Sequence, residues 1–558
     1  MKPFCFFPLI CIAALLASCN LPAGAAVANT ASSASATPYQ PTIGSQNTVG
    51  LEGENGEIAS WWLSPDLPLG FRDSLALPAG ANLVEDQSQA HLRLAVNEGE
   101  IVSHWIYAVV APFPTIVDEV SFEDVQGAWN GDSSAPFADL PLMMSPETKA
   151  AFTAWWGEPA AGAVRVEPAD ELLNAAWAAK PAWVLVPFED LAPKWKVLAV
   201  DGQSPIRKDF DAEDYPLSVP IGLSGDEILV AEALPRFSSE NKAPIAPASN
   251  RDADKLTTVI LTGVTALVRS TAWEMNRKGI TYPAEDIGDL LREADITHIS
   301  NEVPFAEDCP PPNPVQRDLI FCTDPAHIEL LDAVGTDVVE LTGDHFNDWG
   351  ADAMLYTLEL YKERGWPYYG GGANAEEARQ PLKLEDHGNL IAFLGCNAKG
   401  GSYASAKEDY PGTVPCDYDL MEQQVRDLAA EGYIVIATFQ HSEYLTFVPQ
   451  PDLVRDFGRI SAAGASIVSG SQAHQSHGVE FPRPDAIITY GLGNLFFDQR
   501  GVVEFGDRAL IARHVIYDGR YISTELFTIQ FVDYAKPRFM TPEERAEYLP
   551  LIFNASRW

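Results

Sequence analysis

Three short stretches place carboxylates and imidazoles at close intervals: Gly343-Asp344-His345-Phe346-Asn347-Asp348, Gln440-His441-Ser442-Glu443, and Gly470-Ser471-Gln472-Ala473-His474. Carboxylate oxygens together with neutral imidazole nitrogens form a donor set that Zn, Mn or Fe accepts, and a glycine in the turn lets the backbone approach a ligand closely. Each stretch follows an apolar run, at 337–341, 433–439 and 465–469, that reads as a buried strand. Residues delivered just past successive strands by β-α units converge on one rim of a sheet, where open α/β sheets hold their ligands.

The positioning elements read as alternating strands and helices. Strands are expected at the start of 257–268 and at 337–341, 390–395, 433–439, 465–469 and 486–490. Amphipathic helices are expected at 351–364, 418–430 and 451–463, each closed by a glycine. That alternation predicts an α/β domain over 256–520, with 521–558 as a C-terminal extension. A polar, Pro-rich break at 238–255 reads as a linker. Before it, 61–237 carries short apolar strands such as 92–96 and 183–187. Helices are expected there at 121–129, capped by Ser121 with Asp124 three residues on, and at 146–156.

The chain has 558 residues, enough for two or more domains, and 37 Lys plus Arg against 78 Asp plus Glu give a formal charge of −41. Such a field excludes nucleic acid as a partner, and a polyanion needs a local cation or a local basic patch to dock. At the start, Lys2, the apolar run 6–16 and Leu16-Ala17-Ser18-Cys19 form an export signal over 1–18. It resembles a bacterial lipoprotein signal, which implies a lipidated Cys19, a flexible Ala/Ser/Thr-rich tether over 19–60 and an extracytoplasmic, membrane-anchored location; a plain secretory signal is the alternative. Beyond it remain Cys309, Cys322, Cys396 and Cys416. An even number in an exported chain predicts two disulfides. Local pairing, Cys309 with Cys322 and Cys396 with Cys416, is the simplest of the three connectivities, and a zinc site of all four lacks the short CxxC spacing.

The stretch from about 256 to 498 resembles the CapA family of bacterial capsule or poly-γ-glutamate synthesis proteins. The matching runs are Ser300-Asn301-Glu302 for the family's Asn-Leu-Glu, Gly343-Asp344-His345 with Asp348 and Gly350 for its Asn-His turn, and Gln440-His441-Ser442-Glu443-Tyr444 for its His-Trp-Gly-x-Glu-Tyr. Gly470 to His474 matches the Gly-x-His-x-His turn, and Tyr490-Gly491-Leu492-Gly493-Asn494 the Ser-Leu-Gly-Asn run. The resemblance implies a calcineurin-like metallophosphatase fold, an α/β sandwich. It implies Glu302, Asp344, His441 and His474 as metal contacts, with His345, Asp348 and Glu443 as the catalytic set: His345 as acid or phosphate contact, the two carboxylates orienting the rings. Asn301, Gln472 and Asn494 are the expected ligand-binding residues. Three departures stand out: Gly263-Val264 where the family has Gly-Asp, Asp344 for Asn, and Gln472 for the first His. A two-metal phosphatase needs several charged or imidazole ligands, so a full binuclear site is not expected. His91, His104, His298, His327, His387 and His514 read as structural.

The first region is similar to type 2 periplasmic substrate-binding proteins of the phosphate-binding kind, with Ser145-Pro146-Glu147-Thr148 where that family grips its anion. There Pro146 removes a donor and Glu147 adds a repelling charge, so a repurposed module is expected. Trp155 and Trp156 read as core, and Gly370-Gly371-Gly372 as a loop. Two functions follow. One is metal-assisted hydrolysis or transfer in capsule or poly-γ-glutamate biosynthesis, export or anchoring; the other is non-catalytic binding of an anionic ligand, a cell-surface polymer or a polymer-synthase partner.

Overall fold

The computed structural model describes residues 51 and 58–558, apart from 79, 133, 139, 239–243, 502 and 503. The expected signal, Cys19 and all but the end of the tether lie outside the described residues. Among the described residues no helix is long and apolar enough to cross a membrane.

The first half is built on a mixed sheet in the order Asn82–Leu83, Ser60–Leu63, Leu92–Val96, Ser218–Gly225, Glu100–Pro112, Trp183–Pro187, Leu142–Met144 and Val164–Val166, with Trp195–Val197 also paired to Glu100–Pro112. Its helices start where the sequence places caps. The Ser121 hydroxyl accepts the Asp124 N–H at 3.0 Å at the head of Phe122–Asn130, and the Ser145 hydroxyl accepts the Thr148 N–H at 3.1 Å at the head of Pro146–Trp156. Ser145 is therefore engaged in capping its own helix. Trp156, partly buried, packs against the core, 4.7 Å from Phe152 and 5.7 Å from Trp129. The stretch after residue 243 runs along this sheet: Asn250 accepts the Ile106 N–H at 2.7 Å and donates to the Ile106 carbonyl at 3.0 Å.

The second half is an α/β sandwich of two sheets. One runs Tyr368–Tyr369, Val338–Glu340, Ile296–Asn301, Leu256–Thr265, Arg508–Tyr517, Arg520–Phe531 and Pro537–Phe539, with Asn494–Phe496 also paired to Leu256–Thr265. The other runs Leu382–Asp386, Asn389–Asn397, Ile434–Gln440, Ile467–Ser469, Ala486–Thr489 and Val479–Arg483. Strand alternation divides the apolar side chains: Val259 and Leu261 enter the core between the sheets with Phe393, Ile436 and Ile487, while Ile260 faces the outer helical layer with Met354 and Leu358. Helices Tyr418–Ala430 and Pro451–Ala463 cover the opposite sheet through Val425, Phe457 and Ile460. Both sheets are thus covered on both faces, which is why their parallel strands read as continuous apolar runs. Residues from 521 onward complete the sandwich, and Tyr548, Leu549 and Ile552 of helix Pro542–Ala555 lie in the inter-sheet core. Disulfides join Cys309 to Cys322 and Cys396 to Cys416, the local pairing.

Two buried imidazoles set an acid limit on stability. Burial holds His514 at about 3 and His477 at about 4, below the ordinary 6.5. The unfolded chain takes up a proton at each ring near pH 6.5 and the folded chain does not, so stability is full above that pH and falls as pH drops toward 4. The slope is about 1.4 kcal/mol per pH unit for each ring. Urea unfolding at pH 7 and pH 5 is expected to show this loss, and the difference between wild type and His514→Gln isolates one ring. A loss identical in the two proteins would refute the assignment.

Candidate metal centre

Every side chain at the centre follows a strand end. Glu302 comes after Ile296–Asn301, Asp344 and His345 after Val338–Glu340, Lys399 after Asn389–Asn397, Glu443 after Ile434–Gln440 and His474 after Ile467–Ser469. The turns lie in close contact. A Cβ on Gly343 would stand 2.7 Å from the Glu302 Cα, so only glycine lets these two strand ends meet. Gly400 has the same function for the third turn, where a Cβ would lie 2.8 Å from that of Ala404 and 3.2 Å from that of Asp344.

Two triads result, each with ligand atoms within 4.8 Å of one another: Glu302–Asp344–His345 and Glu302–Glu443–His474. Glu302 belongs to both and is 1% exposed. His474 Nε2 lies 3.9 Å from Glu302 Oε1 and 3.7 Å from Glu443 Oε1. Its Nδ1 donates to Asn494 Oδ1 at 2.8 Å, which leaves Nε2 as the nitrogen facing the carboxylates. His345 Nδ1 pairs with Asp348 Oδ2 at 2.7 Å, and Asp348 also accepts the Phe321 N–H at 2.8 Å. Burial pulls the His345 pKa down, but the Asp348 bond and the charges of Glu302 and Asp344 outweigh it and raise it to about 9. Burial pushes the Glu302 carboxyl up, against the opposing pull of His474 and His345.

The donor set fits a cation. Glu302 Oε1 and Asp344 Oδ1 are buried acceptors without a hydrogen-bond donor, a costly arrangement unless a positive charge meets them. One positive charge is already present. Lys399 Nζ lies 3.0 Å from Asp344 Oδ2 and bonds Glu443 Oε1 directly, and these two carboxylates raise its pKa against the effect of burial. Its loop is fixed by Asn397, whose Oδ1 accepts the N–H groups of Lys399 at 2.8 Å and Gly400 at 2.5 Å.

Residues 258–499 match the family model described as bacterial capsule synthesis protein PGA_cap. The chain is 24% identical over 283 residues to the capsule biosynthesis protein CapA of Bacillus anthracis, covering 50% of this chain and 68% of that protein. It is 26% identical over 205 residues to the PGA biosynthesis protein CapA of Bacillus subtilis (strain 168), covering 36% of this chain and 53% of that protein. These matches support the CapA family. Solved structures similar in part include Haemophilus influenzae NAD nucleotidase, at 9% identity over 54% of this chain and 57% of that one with a TM-score of 0.32. Another is the 5'-nucleotidase precursor from Thermus thermophilus, at 12% over 52% and 55% with 0.31. A third is an ABC-type phosphate transport receptor from Vibrio cholerae, at 11% over 32% and 91% with 0.26.

The segment 258–499 brings together Glu302, Asp344, His345, Glu443 and His474, with Asp348 and Asn494 behind the two rings. Glu443 lies in a triad itself rather than behind an imidazole. His441, expected as a metal contact, is in neither triad. Helix Pro451–Ala463 carries Asp456 to its Nε2 at 3.0 Å, its Nδ1 accepts the Ser442 N–H at 2.8 Å, and these two contacts hold the ring away from the other strand ends. Asn301 alternates away from Glu302 and donates to Tyr361 Oη and the Val303 carbonyl, both at 2.8 Å. Gln472 donates to Ser300 Oγ at 2.6 Å, which ties its loop to the other sheet.

Sequence reasoning passed over Lys399 and Glu340. Lys399 follows a strand end as the other site residues do, two positions past Asn397. Glu340 is fully buried beneath the site, where it accepts from Ser471 Oγ and, at 2.6 Å, from Thr342 Oγ1, and lies 3.3 Å from His298 Nε2. Burial raises its pKa, but these partners outweigh that and hold it low.

Proposed function

We propose that this chain acts outside the cytoplasm in the biosynthesis, export or anchoring of a capsule or poly-γ-glutamate polymer, and that the cluster around Glu302 is a divalent-cation site serving hydrolysis or transfer at a phosphoester or amide. The names of the PGA_cap model and the two CapA relatives support the polymer. Two disulfides support an oxidising compartment, and anchoring through Cys19 belongs to the same reading. The single observation that carries the site is the pair of carboxylate–imidazole triads sharing Glu302, with two buried acceptor oxygens left open.

In this reading Glu302, Asp344, Glu443 and His474 would hold the ion, which when bound would supply Lewis-acid polarisation of a phosphoryl or carbonyl oxygen. Asp348 fixes His345 through Nδ1, leaving Nε2 to hand a proton to a leaving group. Asn494 keeps the His474 tautomer that presents Nε2. A cation also reconciles a polyanionic partner with a chain of net charge −41.

The test is elemental mass spectrometry on folded protein incubated with Mn, Zn or Fe and desalted. Bound metal that disappears in a His345→Ala, His474→Ala double variant is the expected result. Metal-free wild type would favour the non-catalytic reading, in which the fold binds a polymer or synthase partner; the commitment of His441 to Asp456 and of Gln472 to Ser300 favours that reading.

A further inference from the structure

The two triads share Glu302, and each has one carboxylate of its own: Asp344 in the first, Glu443 in the second. Lys399 touches one oxygen of each, at 3.0 Å from Asp344 Oδ2 and in direct hydrogen bond with Glu443 Oε1. The ammonium thus spans both triads, each of which offers a carboxylate–imidazole set to a cation. We infer that Lys399 is a built-in cation that replaces one metal ion, so that the chain binds one divalent ion fewer than its triads would otherwise take. This rests on reading the cluster as a cation site.

Charge and geometry agree. With the His345–Asp348 pair neutral as a whole, Glu302, Asp344 and Glu443 carry three formal negative charges and Lys399 one positive, which leaves two, the charge of a single divalent ion. The open acceptors are Glu302 Oε1 and Asp344 Oδ1, whereas Asp344 Oδ2 and Glu443 Oε1 are taken by the ammonium. A lysine ammonium is a compact point charge with three donors, which lets it serve several carboxylates at once. The lysine is placed rather than incidental. Asn397 fixes the backbone at Lys399 and Gly400, and Gly400 has no Cβ to hold the loop off Asp344. Gln440 Nε2 donates to the same Glu443 oxygen at 3.2 Å and keeps that carboxylate turned toward Lys399. Lys399 is a positioning and specificity-setting residue here; it adjusts how many ions the carboxylates accept.

The experiment compares metal content per chain in wild type, Lys399→Met, Lys399→Gln and Lys399→Arg, each loaded separately with Mn, Zn and Fe and first shown by thermal unfolding to be folded. The two neutral variants are expected to hold one ion more than wild type, and Lys399→Arg, which keeps the charge, to match wild type. In the Mn-loaded proteins, electron paramagnetic resonance is expected to change from an isolated-ion spectrum in wild type to that of a spin-coupled pair in Lys399→Met. Equal, non-zero stoichiometry in wild type and both neutral variants overturns the inference and leaves the proposed function standing. No metal in any of the proteins overturns both. Metal-free wild type with one ion in the neutral variants supports the inference and overturns the metal-dependent reading of the native chain. Both neutral substitutions leave the backbone contacts of Asn397 in place, so failure of one variant to fold leaves the other to decide.

Discussion

Glu302→Gln is expected to weaken divalent-metal binding by at least about 100-fold while leaving the metal-free protein as stable as wild type or more so. Removing a residue that merely orients a ligand costs about 10–100-fold in affinity, and Glu302 is the one carboxylate shared by both triads. The stability half of the expectation has a separate cause. Glu302 Oε1 is buried without a donor and burial pushes its carboxyl up, so the folded chain bears the cost of a poorly solvated charge that glutamine removes. Isothermal titration with Mn and thermal unfolding in chelator measure the two halves. Weakened binding with an unchanged or higher Tm marks a ligand. A large fall in the metal-free Tm would mark Glu302 as a structural residue instead.

Glu340→Ala is expected to cost about 3–5 kcal/mol, the range for removing one partner of a buried, hydrogen-bonded charge network. The substitution strands His298, Thr342 and Ser471 in the interior. His298 in turn contacts Tyr369 Oη at 2.9 Å, which lies 2.9 Å from Thr438 Oγ1, so the loss spreads into both sheets. Glu340→Gln, which keeps the shape and one acceptor, is expected to cost less, about 1–3 kcal/mol. Ser471 opens the loop that carries His474, and a second consequence is weaker metal binding in both variants. Urea unfolding gives the first effect and metal titration the second; a Glu340→Ala protein of wild-type stability would refute the network.

Much of the second half is legible in its sequence because both sheets are covered on both faces, which turns each parallel strand into an apolar run ending in glycine or a polar turn. Helices Tyr418–Ala430 and Pro451–Ala463 have the expected bounds for a similar reason: Asp417 caps the first, Pro451 opens the second, and a glycine follows each within two residues. The hairpin of Arg508–Tyr517 and Arg520–Phe531 carries its own sign in Asp518-Gly519, both at positive φ, yet its strands belong to a sheet formed mostly by residues more than a hundred positions earlier. In the first half, Ser218–Gly225 inserts between Leu92–Val96 and Glu100–Pro112, a pairing that no local pattern encodes. The site divides along the same line. Glycine-bearing strand ends announce Asp344, His345 and His474. The diversion of His441 depends on Asp456, fifteen residues away on a helix, and the placement of Lys399 depends on two carboxylates from other strands. Glu340 offered a sign of its own, a carboxylate inside the apolar run Val338-Val339-Glu340-Leu341, because a buried charge persists only when partners surround it.

Phe113, at the end of the long strand of the first sheet, lies 5.0 Å from Phe481, 6.2 Å from Phe553 and 6.4 Å from Trp558. The cover of an aromatic ring near the front of the chain is therefore made of residues translated long after it. A chain cut before residue 481 therefore lacks these three rings over Phe113, so the first sheet depends on the end of the sequence for part of its cover.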